Sequence, residues 1–124
     1  MKVTLPIQKK EIINREIKKE KSYMEFDIDL SLGSQMRYEI KFPELAKQED
    51  LYGYSDRIFK SKELTAGKIL SELKLLYCWI NTDMSFIDFV KLFDLTDIEY
   101  VKEFLDVLEK TFKLILEDTS SEKN

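Results

Sequence analysis

The feature that most restricts the fold is a change of hydrophobic period along the chain. Between residues 23 and 42, apolar side chains recur at every second position. Met24, Phe26, Ile28, Leu30 and Leu32 form one run, and Met36, Tyr38, Ile40 and Phe42 form another. That spacing predicts two half-buried strands. Beyond residue 62 the spacing becomes helical, so the expected fold is α+β: an N-terminal antiparallel β-hairpin or small sheet packed on three C-terminal helices. Only three Gly and two Pro occur in 124 residues, so regular elements should dominate.

Gly33-Ser34 lies between the two alternating runs. A two-residue loop there would oppose Leu30 to Arg37 and Ile28 to Glu39, mixing charge into the apolar face, and is rejected. A three-residue loop over 33–35 pairs Leu30 with Tyr38; a five-residue loop over 31–35 pairs Leu30 with Met36. Both remain open. Pro43 should end the second strand. Residues 44–60 read as a mixed connection, with Tyr52-Gly53-Tyr54 as a turn carrying two aromatics.

The first helix is expected over about 62–80, with Ile69, Leu70, Leu73, Leu76, Tyr77 and Ile80 on one stripe. The second spans about 86–93 behind a Ser85 cap, with Phe86, Phe89, Val90 and Phe93 on its face. The third spans about 97–117 behind a Thr96/Glu99 capping box, with Val101, Phe104, Leu105, Leu108, Phe112 and Ile115 inward. The chain is thus divided into a basic N-terminal arm (1–21), a single α+β domain (22–118) and a polar tail (119–124), expected to lack order. Val3, Leu5 and Ile7 alternate like a short strand with Pro6 at an edge, and residues 8–21 are left open as helix, strand or mobile arm.

Charge is uneven. Residues 1–21 hold seven basic residues against three acidic, a net +4, which leaves −8 for the remainder of a chain whose net is −4. An acidic body repels phosphate backbones, so only the arm suits a nucleic acid or an acidic partner. Residues 1–7 are too short an apolar stretch for a signal peptide. The longest apolar run, residues 75–80, is far too short to span a bilayer. One cysteine, Cys78, excludes an internal disulfide and suits a reducing compartment.

With no histidine, His-based acid–base chemistry, Ser-His and Cys-His nucleophile pairs and the commonest metal ligand are all missing. No Gly-rich phosphate loop is present. Ser71-Glu72-Leu73-Lys74 matches S-x-x-K without its companion motifs, and a solvated helix face explains it. Asp27, Asp29 and Glu39 would share a sheet face able to meet a divalent cation, or simply water. Cys78 reads as a small buried hydrophobe. The expectation is therefore no enzyme, no cofactor and no metal.

Apolar residues are in surplus. Leu75 and Trp79, with Leu64 near them in angle, lie off the main stripe of the first helix. Tyr100, Val107 and Leu114 repeat every seven residues outside the main stripe of the third. Either other parts of the chain cover these strips, or they form a patch for a partner or a second copy. The candidate partner-binding or self-association residues are Leu64, Leu75, Trp79, Phe86, Phe93, Tyr100, Val107, Leu114, Tyr52 and Tyr54.

Leu64-Thr65-Ala66-Gly67 leads into a helix ending Leu75-Leu76-Tyr77-Cys78-Trp79-Ile80. Next comes Ser85-Phe86-Ile87-Asp88-Phe89-Val90-Lys91-Leu92-Phe93-Asp94-Leu95-Thr96-Asp97, and then Phe104-Leu105-Asp106-Val107-Leu108 with Thr111-Phe112. This arrangement, over roughly 23–117, resembles the tail assembly chaperones of long-tailed bacteriophages of Gram-positive hosts. The resemblance implies a non-enzymatic, non-virion late protein of the host cytoplasm. Such a protein would bind hydrophobic helical repeats of the tape measure protein, keep them soluble until the tail tube assembles, and homo-oligomerise. The alternative is a small nucleic-acid-binding regulator using the basic arm, which the acidic body disfavours.

Overall fold

The computed structural model describes the backbone of residues 1–122 and the side chains of residues 1–117. It is α+β, with a two-stranded antiparallel sheet at the N-terminus followed by helices. The elements are β1 (Lys2–Ile13), β2 (Glu16–Asp27), α1 (Leu32–Lys41), α2 (Pro43–Ala46), α3 (Leu51–Lys60), α4 (Ala66–Trp79), α5 (Phe86–Val90) and α6 (Ile98–Glu122). The fold class is as expected, but the hairpin is not where the alternation placed it.

Residues 2–26 and 91 onward form one compact unit. Its hairpin turns at Asn14-Arg15, whose φ values of 52° and 65° mark the two-residue type I′ turn that suits strand twist. The segment read as a basic arm is thus most of a β-ribbon. A two-residue loop opposes Ile13 to Glu16, and every later pair follows from it. The same register carries on to the base, where the Ile28 amide donates to the Met1 carbonyl at 2.8 Å.

That register makes odd positions of β1 and even positions of β2 bond to each other, and turns the remaining backbone groups outward. Pro6 therefore sits where its missing N–H costs no ladder bond. Its carbonyl points outward and accepts from the Tyr100 hydroxyl at 2.7 Å. The Gln8 amide, also outward, donates to the Leu92 carbonyl at 2.9 Å. β1 packs on α6, burying Val3, Leu5 and Ile7 in the same unit as Phe104, Leu108, Phe112 and Ile115. Arg15 holds a left-handed conformation that costs a side-chain-bearing residue about 1–2 kcal/mol. Arg15→Gly is expected to stabilise the ribbon by about 0.5–1 kcal/mol, after the extra chain entropy of glycine. Slower amide exchange in both strands would report it.

The second unit comprises Met1 and residues 27–90. α4 lies at its centre, packed against α1, α3 and α5. An isolated antiparallel bridge joins Ile28 to Ile80, with the Asp29 amide on the Trp79 carbonyl and the Asn81 amide on the Asp27 carbonyl. Tyr38, Leu51, Tyr54, Ile58, Leu73 and Leu76 are buried. The rings of Phe42, Tyr77, Phe86 and Phe89 form an edge-to-face and tilted cluster, with neighbouring centroids 5.1–6.5 Å apart.

Residues 36–42 were expected as the second strand of a hairpin with its loop within 31–35, but Leu32–Lys41 is a helix. Ser31 caps α1 by accepting from the Gly33 amide at 3.1 Å, and Asp29 accepts from the Ser31 amide at 2.9 Å. Gly33-Ser34 is thus the first turn of a helix, not a hairpin loop, and Pro43 opens α2 instead of closing a strand. Tyr52-Gly53-Tyr54 is the first turn of α3, where the Asp50 carboxylate accepts from the Gly53 amide at 2.7 Å.

The three C-terminal helices fall in the expected segments, but α4 starts at Ala66 instead of 62, α5 stops at Val90 instead of 93, and α6 reaches Glu122 instead of 117. Ser85 caps α5 through the Asp88 amide. At α6 the cap is Asp97, which accepts from the Glu99 and Tyr100 amides, and not Thr96. Thr96 is diverted because its hydroxyl donates to Asp94. The helical backbone runs on through residue 122, into the segment read as a polar tail. The rest of that reading, residues 123–124, lies outside the described residues.

Candidate protein-binding surface

Five of the ten residues proposed for a free apolar surface are buried. Leu75 and Trp79 are enclosed, in a unit where α4 packs against α1, α3 and α5, whereas Leu70, expected on the inward stripe, is 42% exposed. Tyr54 is buried beside Tyr38, at 5.8 Å between ring centroids, and donates to the Ser71 carbonyl at 2.9 Å. Phe93 and Tyr100 are buried in stacks on either side of Phe104, at 4.8 and 6.0 Å. These five correct the surface assignment. Phe86 and Val107 are half-buried. Leu64, Tyr52 and Leu114 are exposed.

The surplus of apolar surface is real and lies elsewhere. On α1, Leu32, Met36 and Ile40 are 85%, 61% and 70% exposed. They follow one another at intervals of four residues and form a continuous stripe along the helix. Ser34 and Tyr38 occupy the opposite, buried side. Alternation hid this stripe, because positions four apart in a helix are also even-spaced in a strand.

α1 is held firmly. The Arg37 guanidinium donates to the Cys78 carbonyl at 2.8 Å and to the Asp29 carboxylate at 3.1 Å. The Tyr38 hydroxyl donates to the Glu49 carbonyl at 3.1 Å, and the Gln35 side chain accepts from the Leu51 amide at 2.9 Å. The stripe is therefore presented on a braced helix, which lowers the entropy cost of binding.

Part of the ribbon's basic charge is paired within its own unit. Lys10 reaches Thr96 and Asp94, Lys19 reaches Asp97 at 3.3 Å, and Lys21 bonds Glu103, which also accepts from the Tyr23 hydroxyl at 2.8 Å. Gln8 donates to Asp94 and Asp97 at 3.2 and 3.0 Å. Burial raises the Asp94 pKa, but Thr96, Gln8 and Lys10 outweigh it and hold the carboxyl at about 2. Gln8 leads the groups that lower Asp97, and Lys21 those that lower Glu103. A carboxyl depressed in the folded state adds stability above its unfolded pKa, which is lost as pH falls through the folded value. The ribbon's attachment to α6 should therefore weaken between about pH 4 and about pH 2. Urea midpoints over that range should fall more steeply in the wild type than in Asp94→Asn.

The chemical candidates are occupied otherwise. The Ser71 hydroxyl donates to the Gly67 carbonyl at 3.0 Å, and the Lys74 ammonium lies 5.9 Å from the Phe42 ring centroid. Asp29 is paired with Arg37, and Glu39 stands on α1, so the acidic sheet face does not form. Burial pushes the Cys78 thiol up to about 12, which keeps it protonated and unreactive. Among the described residues, no group of three or more acidic, His or Cys side chains is placed to hold a metal, and no helix is long and apolar enough to cross a membrane.

No family model matches the chain, and neither a curated protein nor a solved structure matches it.

Proposed function

We propose that the chain is a non-enzymatic binding protein that covers apolar helices of a partner, and that it acts as a phage tail assembly chaperone. In this reading it holds hydrophobic helical repeats of the tape measure protein soluble in the host cytoplasm until the tail tube assembles. The Leu32/Met36/Ile40 stripe supports the first part: a rigid apolar helix face suits an amphipathic partner helix. The residue pattern over 64–112 supports the second. Many such contacts along one long chain would give avidity while each remains weak enough to release. The nucleic-acid reading keeps only part of the ribbon's charge, because Lys10, Lys19 and Lys21 already face carboxylates.

The test is co-expression with a tape measure fragment. Wild type should keep the fragment soluble. The triple variant Leu32→Ser, Met36→Ser, Ile40→Ser should not, while its own stability shifts by no more than about 1 kcal/mol, as expected of exposed positions. Failure of the wild type, or full activity of the triple variant, would reject the reading.

A further inference from the structure

We infer that the partner helix seated on the Leu32/Met36/Ile40 stripe is basic beside its apolar seam, and that Glu39 selects for that charge. The inference rests on the partner-binding reading of the stripe and names the kind of helix the stripe prefers.

The two flanks of the stripe differ. At 3.6 residues per turn, Glu39 lies about 60° to one side of Met36 and Arg37 about 100° to the other. Arg37 is turned to the Cys78 carbonyl and the Asp29 carboxylate. Glu39 is exposed, and among the described residues its carboxylate enters no ion pair or hydrogen bond. It stands three residues after Met36 and one before Ile40, so a helix laid along the stripe must pass its flanking side chains over it. Lys41 falls on the opposite flank, past the last residue of the stripe, where it complements the C-terminal end of the α1 dipole.

The surroundings have the same sign as Glu39. Residues 27–90 of this unit carry eleven acidic side chains against eight basic ones. Five of the eight face carboxylates of the same unit. Outside those pairs, six carboxylates stand against three ammoniums. A field of that sign draws in a cationic segment and turns away an acidic one. Apolar contact alone accepts any amphipathic helix, whereas a like-charge contact rejects the wrong one.

Two synthetic helices of about 18 residues test this against the full chain. Both carry one leucine seam; one has lysine along its flanks and the other glutamate. By fluorescence anisotropy at low salt, the lysine peptide should bind about tenfold tighter or more, and the two should converge as salt screens the flanks. Glu39→Lys should weaken the lysine peptide about two- to tenfold and strengthen the glutamate peptide by a similar factor. Its circular dichroism should not change, since Lys and Glu have similar helix propensity. Glu63→Lys, in the connection between α3 and α4, alters net charge equally and should keep most of the wild-type preference. Equal binding of the two peptides, an unchanged preference in Glu39→Lys, or an equal effect of Glu63→Lys would overturn the inference and leave the partner-binding reading standing. A wild type that binds neither peptide, or a stripe closed by a second copy, seen as a dimer that the Leu32→Ser, Met36→Ser, Ile40→Ser variant loses, would overturn both.

Discussion

Phe104→Ala is expected to cost about 3–5 kcal/mol, the usual range for emptying a fully buried aromatic site. The ring is completely enclosed and lies between Phe93 and Tyr100 in two stacks, so little around it can collapse into the space. Tyr100 is also tied to the Pro6 carbonyl, so a shift of its ring would disturb the attachment of β1 to α6. A loss of this size is a large part of the ~5–15 kcal/mol that holds a small protein folded. Hydrogen exchange resolved by peptide should show protection falling in β1 and α6. The contrast lies on the same helix: Leu114 is half exposed, and Leu114→Ala should cost no more than about 1 kcal/mol. Equal effects at the two sites would refute the packing described for this unit.

Arg37→Ala should cost about 2–4 kcal/mol, since it removes two charge-assisted hydrogen bonds and leaves their acceptors partly buried. One acceptor is the Cys78 carbonyl, near the C-terminal end of α4, where a cation also opposes the helix dipole. The other is the Asp29 carboxylate, which shapes the entry to α1 by accepting from the Ser31 amide. Exposed ion pairs rarely matter this much; here the guanidinium joins two elements and is itself mostly covered. Thermal unfolding would give the magnitude. Arg37→Lys should recover only part of it, because an ammonium cannot reach both acceptors in the fork geometry of arginine. If the loss of α1 support is the cause, partner binding through Leu32, Met36 and Ile40 should fall with it.

The α4, α5 and α6 segments were legible because helices are specified locally. Ile69, Leu73, Leu76 and Ile80 fall on one side at 3.6 residues per turn whatever surrounds them, and Ser85 caps its helix using only the next few amides. The ribbon was legible only in hindsight. Asn14-Arg15 is not the Asn-Gly that usually announces a tight turn, and the Lys- and Glu-rich stretches beside it, residues 8–13 and 16–22, carry almost no apolar alternation. Near the turn their attachment includes Lys10, Lys19 and Lys21 meeting carboxylates about eighty residues away in sequence.

The candidate surface was misplaced for a related reason. An excess of apolar residues is a property of composition and could be read directly. Which of them stay outside depends on what covers them. Leu75 and Trp79 disappear in a unit where three helices pack on α4, and Tyr100 disappears beneath β1. Leu32, Met36 and Ile40 satisfy a period of two as well as a period of four. The sequence by itself therefore determined the class of fold, the C-terminal helices and the lack of histidine chemistry. Only the tertiary structure decided that 32–41 is a helix, that residues 2–27 form the ribbon, and that the bare apolar face belongs to α1. Local spacing sets which side chains share a face, but burial is settled by neighbours distant in sequence.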